Sequence, residues 1–104
     1  MVGRFVRYGY TGDVQELARR AEEGVLPLFQ ALPGFQAYSV TDTDGEIFSL
    51  SVWEMQEQAE AASAAAAEWV AGNMGSELEL REARYGEILF SSLLGITTTA
   101  GITA

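Results

Sequence analysis

The sequence predicts an α+β domain whose elements run β-α-β-β-α-β, and three observations carry that order. A β-rich opening, Arg4–Tyr10, stops at Thr11-Gly12-Asp13 and gives way to apolar residues at helical spacing. Two further β-rich runs, Phe35–Thr41 and Glu46–Trp53, flank the turn Asp42-Thr43-Asp44-Gly45. The second of them leads into an alanine-rich stretch, and a last β-rich run lies within Glu79–Phe90.

In the first helix, Asp13 with Glu16 three residues later reads as a capping box. Val14, Leu17, Ala21, Val25 and Leu28 form one apolar stripe. The opposite face carries Glu16, Arg19, Arg20, Glu22 and Glu23, with Glu16–Arg20 and Arg19–Glu23 spaced for i,i+4 pairing. Gly24 and Pro27 follow late in the helix, and Pro27 predicts a kink or break, because proline lacks an N–H and crowds the carbonyl four residues back. Pro33-Gly34 turns the chain into the second strand. Asp44-Gly45 is a hairpin signal, so the second and third strands pair antiparallel. The string Asp42-x-Asp44-Gly45-Glu46 lacks the spacing and length of a calcium loop.

The second helix is predicted over about Gln56 to Gly72, with Gly72 and Gly75 as C-terminal stops. Its run Ala61–Ala67 has high helix propensity and allows close backbone approach. Ala59, Ala62, Ala66, Trp69 and Asn73 share a stripe, with Val70 beside it. Leu78–Leu80 can form a short strand of its own before the last one. Two crossovers split around a hairpin define a ferredoxin-like sandwich: a four-stranded antiparallel sheet with both helices on one face. The third strand is apolar on both faces (Ile47, Phe48, Leu50, Val52, Trp53), which predicts a cover on the bare side. A second copy of the sheet is the simplest cover, giving a face-to-face homodimer.

Composition bounds the function. The 104 residues suit one domain, assigned to 1–90, with 91–104 as an uncharged tail or dimer arm. Fifteen acids against six arginines, with no lysine, give a net charge of −9. That balance disfavours nucleic acid and anionic membrane surfaces as partners. Met1–Phe5 lacks the apolar core of a signal peptide, so the expected location is cytoplasmic. The charge-free run Ile88–Ala104 is too short and too rich in Ser and Thr to span a bilayer. Without His or Cys, a structural zinc site is disfavoured, since carboxylates alone rarely hold one, a hydrolase triad is excluded, and no metal is expected.

One set of motifs carries a resemblance. Leu32-Pro33-Gly34-Phe35-x-x-Tyr38, Ser49-x-Ser51-Val52-Trp53-Glu54, the alanine-rich helix reaching Ala67-Glu68-Trp69-Val70, and Gly86-Glu87-Ile88-Leu89 resemble the antibiotic biosynthesis monooxygenase-like superfamily. The resemblance covers roughly Val6 to Phe90 and is nearest to small, uncharacterised bacterial members. It implies a dimeric α/β barrel. It also implies a small-molecule pocket and, for some members, cofactor-free oxidation of aromatic, polyketide-like or quinol substrates by O₂. Other members degrade haem with a histidine at the position of Ala62, a group this chain lacks. Fold does not settle function, so a non-catalytic ligand-binding or dimerisation module is the alternative.

The resemblance places Trp69 in the pocket wall, and spacing alone makes it a core filler. Asn73 can hold a substrate carbonyl or enolate, or cap the helix. Trp53 reads as packing. Among Tyr8, Tyr10, Tyr38 and Tyr85, a buried phenol can donate to a developing enolate oxygen. Arg4, Arg7 and Arg84 are candidates to stabilise an anion or to pair with surplus acids. The expected substrate-binding set is Tyr38, Trp69, Asn73 and Arg7, with no cofactor.

Overall fold

A computed structural model describes residues 1–98. Period-two alternation sorts strand β1 (Val2–Tyr10) into two faces: Val2, Arg4 and Val6 are buried beside the helices, and Phe5 is half exposed on the other side. Helix α1 (Val14–Gln30) starts at Asp13, whose carboxylate accepts from the Gln15 N–H. Glu16 does not complete a capping box there; it pairs with Arg19 instead. Arg19 also reaches Glu23 as expected, but Arg20 leaves its helix to bond Glu77, so the Glu16–Arg20 pair does not form.

The break expected at Pro27 is also absent, and α1 runs through it as one helix. A proline removes only its own N–H bond, and buried Val25 and Phe29 pin the helix on either side of it. Strands β2 (Phe35–Thr43) and β3 (Glu46–Trp53) form the antiparallel hairpin. Its turn holds Asp44 at φ 44° and Gly45 at φ 97°, the two left-handed residues a tight hairpin requires. A register shift between Phe35 and Ala37 lets Phe35 and Tyr38 face the helices together, although they differ in parity.

Helix α2 (Gln56–Asn73) opens with the Gln58 side chain accepting the Met55 N–H, and it buries Ala59, Ala62 and Ala66. Strand β4 (Leu78–Glu87) is continuous, so Leu78–Leu80 is not separate, and it ends before Phe90. Beyond it, Ser91 and Ile96 bond each other across a short loop that leaves Leu93 exposed. Of the 91–104 segment, residues 99–104 lie outside the described residues.

The sheet order β2-β3-β1-β4, antiparallel throughout, with two crossover helices, is the ferredoxin-like α+β arrangement. Between sheet and helices the apolar residues form two clusters. One is built on Phe29, Trp53 and the buried alanines of α2, the other on Leu17, Ile47 and Met74. Trp69 packs against both. Trp53 is a structural plug: fully buried, it meets Phe29 and Phe35 edge-on, and its indole N–H donates to Ser51 Oγ at 2.9 Å.

Candidate functional site

The seam between the two clusters encloses a cavity of about 40 Å³, room for a few waters at roughly 10–15 Å³ each. Val25, Phe29 and Ala66 come to its wall from one cluster, and Leu17, Ile47 and Met74 from the other. Trp69 crosses the seam because Gly24 of α1 lies directly under its indole; a Cβ at Gly24 would overlap the ring. Four polar side chains interrupt the apolar wall: Arg4, Tyr8, Tyr38 and Ser49. All four sit on strands, a rigid base for a site.

Arg4 is only 3% exposed. Its Nε donates to Ser63 Oγ of α2 at 2.7 Å, and Ser63 Oγ lies 2.7 Å from the Tyr85 hydroxyl of β4. The guanidinium lies over the Phe29 ring, 5.6 Å from its centre. Tyr38 packs its edge on the same ring at 4.9 Å. Burial, helped by nearby Tyr8, pushes the Tyr38 phenol up to about 12, while Arg4 and Ser49 pull it the other way. At neutral pH it is therefore a hydrogen-bond donor in an apolar setting.

A wider cleft of about 350 Å³ opens between α2 and β4. Ser63, Ala67 and Ala71 line one wall, and Leu80, Ala83 and Tyr85 the other. It shares Arg4, Tyr8, Val70 and Leu78 with the inner cavity, so these side chains form the partition between the two spaces.

Of the residues expected to bind substrate, Tyr38 and Trp69 meet in the cavity. Asn73 lies on the exposed side of α2, where its amide nitrogen donates to the Trp69 carbonyl at 2.8 Å. Arg7 points to the opposite sheet face and pairs with Glu46 at 2.7 Å, a carboxylate that Arg81 also binds. Both arginines hold Glu46 below the usual carboxylate range. The cavity's arginine is Arg4, and parity shows why: residue 4 is in phase with buried Val2 and Val6, whereas residue 7 is in phase with Phe5. Ser63 has no motif of its own, and the meeting of Ser49 and Tyr85 with the site comes from register and helix docking rather than from any spacing. Among the described residues, no group of three or more acidic side chains is placed to hold a metal.

The split β-α-β sheet, with a polar-studded cavity under its helices, defines a ferredoxin-like fold. No protein-family model matches the chain, and no curated protein matches it. Solved structures do. SnoaB, a cofactor-independent oxygenase from Streptomyces nogalater, superposes with a TM-score of 0.69 at 17% identity, over 88% of this chain and 95% of its own. Rv0793 from Mycobacterium tuberculosis gives 0.62 at 14% identity, over 88% and 97%. A Chloroflexus aurantiacus protein assigned as an antibiotic biosynthesis monooxygenase gives 0.59 at 17%, over 91% and 100%. The chain shares their fold across nearly the full length of each.

Proposed function

We propose that this chain is a homodimeric small-molecule-binding protein that oxidises a flat aromatic or quinol-like substrate with O₂, without a cofactor. The observation that carries this reading is the cavity in the core seam, apolar but for Arg4, Tyr8, Tyr38 and Ser49. Likeness to a cofactor-independent oxygenase supports it as an analogy of fold. The inner cavity is too small for a fused ring system, so a substrate of that size also uses the neighbouring cleft by moving Val70 or Leu78 of the partition.

In that mechanism an activated ring carbon loses a proton and the resulting enolate transfers electrons to O₂. The proton goes to water, O₂ bonds to the carbon and is reprotonated to a hydroperoxide, and loss of the carbon's second hydrogen breaks the O–O bond to leave a carbonyl and one water. The cavity wall contains no carboxylate and the chain no imidazole, so the substrate's own acidity is the driving element. Tyr38 donates to the developing oxyanion, Arg4 lowers the substrate's pKa, and Trp69 orients the ring. Exclusion of water adds to each effect.

The dimer reading rests on the open sheet face. Phe5 and Leu50 are register partners there, half and 37% exposed, with Phe48 beside them at 43%. Arg7, Glu46, Arg81 and Arg84 rim this patch with charge, the anatomy of an interface. A cytoplasmic location fits the composition, and no described helix is long and apolar enough to cross a membrane.

Oxygen uptake on a panel of anthrones and reduced naphthoquinones tests the activity. Uptake above background that falls at least about tenfold in Trp69→Phe supports the oxygenase, a barrier change near 1.4 kcal/mol. Background rates across the panel favour the second reading, a non-catalytic binding or dimerisation module, to which the absence of a base in the cavity wall already points.

A further inference from the structure

Arginines and acids pair almost everywhere in this molecule. Among the described residues, Arg7, Arg19, Arg20, Arg81 and Arg84 all bind carboxylates. Arg4 does not, although the chain holds 15 acids to six arginines. It is also the arginine that is buried. A desolvated charge without a counter-ion is unfavourable and is retained where something else repays it.

The free part of the group has a direction. Ser63 takes Nε, the Phe29 ring lies 5.6 Å from the guanidinium carbon, and Tyr85 holds the Ser63 hydroxyl in turn. The two Nη groups have no protein partner among the described residues. Among the described residues no sealed side-chain nitrogen or oxygen lacks a bond, so the Nη groups border open space, and Arg4 lines both the cavity and the cleft. A guanidinium fork presented this way matches two oxygens of an oxyanion. Beside it, Ser63, Ala67 and Ala71 recur at one-turn spacing along α2, leaving a flat slot against β4.

We infer that Arg4, aimed by Ser63 and Tyr85, is an oxyanion-binding site, and that its ligand is a flat aromatic acid entering by the α2–β4 cleft. This deepens the reading above, since it rests on an aromatic ligand occupying the cavity and cleft. The ring lies in the slot and its carboxylate or ionised phenol meets the Arg4 Nη groups. The protein's net charge of −9 opposes an anion at long range, so Arg4 supplies the local reversal that admits one.

Calorimetric titration of the full chain with 2-naphthoate, 2-naphthamide and 2-naphthol at pH 7.5 tests this without requiring turnover. Naphthoate is expected to bind at least about tenfold tighter than the amide in the wild type. Arg4→Met should erase that preference, Arg4→Lys should keep a reduced one, and Ser63→Ala should weaken naphthoate several-fold while sparing the amide. Appearance of the naphtholate absorption band on binding would identify an ionised phenol as the second accepted oxyanion; its absence would confine the site to carboxylates. Equal affinity for naphthoate and the amide overturns the oxyanion site and leaves the aromatic-cavity reading standing. Binding of none of the three overturns both. Naphthoate selectivity without oxygen uptake on any substrate keeps this inference and removes the oxygenase. Should Arg4→Met fail to fold, the wild-type comparison and Arg4→Lys still decide.

Discussion

Three side chains of the cavity lean on one another. Phe29 meets Tyr38 edge-to-face and has the Arg4 guanidinium over its ring, so both polar groups pack on one aromatic side chain. Tyr38 provides a direct reading of that environment. Its folded-state pKa, near 12, lies above the ordinary value of 10, so the protonated phenol is the form the fold favours. The resulting stability is complete below about pH 10 and is lost as pH rises through 12. A shift of that size is worth at most about 2–3 kcal/mol, at 1.36 kcal/mol per unit. Urea denaturation at pH 9 and pH 11.5 should show a larger drop in the wild type than in Tyr38→Phe. Equal drops would mean that water reaches the phenol.

At the level of elements, helix–helix contact sets the cavity. Trp69 reaches across the seam only because α1 presents Gly24 to it. Gly24→Ala should gain about 1 kcal/mol of helix propensity yet cost more by displacing the ring, for a net loss of about 1–2 kcal/mol. Urea midpoints measure the loss, and a shift in Trp69 emission accompanies it; a stabilised variant would mean that the indole moves aside freely. The start of α1 depends on a different contact. Asp13→Ala removes the acceptor for the Gln15 N–H and should cost about 1 kcal/mol, while amide exchange speeds up in the first turn alone.

For the whole molecule, the two sides of the sheet are unequal. One is covered by helices; the other carries Phe5, Phe48 and Leu50 in a polar frame. Sedimentation should give twice the monomer mass for the wild type and the monomer mass for Leu50→Glu, with unchanged far-ultraviolet circular dichroism. A wild-type monomer at micromolar concentration would remove the homodimer. The α2–β4 cleft is lined by residues of one chain, so naphthoate binding should survive in the Leu50→Glu monomer.

The sequence by itself determined the element order, the hairpin and the apolar faces, because these follow from local chemistry: period-two and helical spacing, Asp13 at a helix start, and Asp44-Gly45 in a turn. It also held Arg4 in phase with Val2 and Val6, a signal legible from parity alone. Tertiary structure decided the rest. Arg20 turned from Glu16 to Glu77, and α1 held through Pro27, because long-range partners and buried neighbours outweighed local preference. A strand irregularity brought Phe35 and Tyr38 to one face against simple alternation. The joining of Arg4, Ser63 and Tyr85 depends on three separate elements meeting, and no local spacing encodes that meeting.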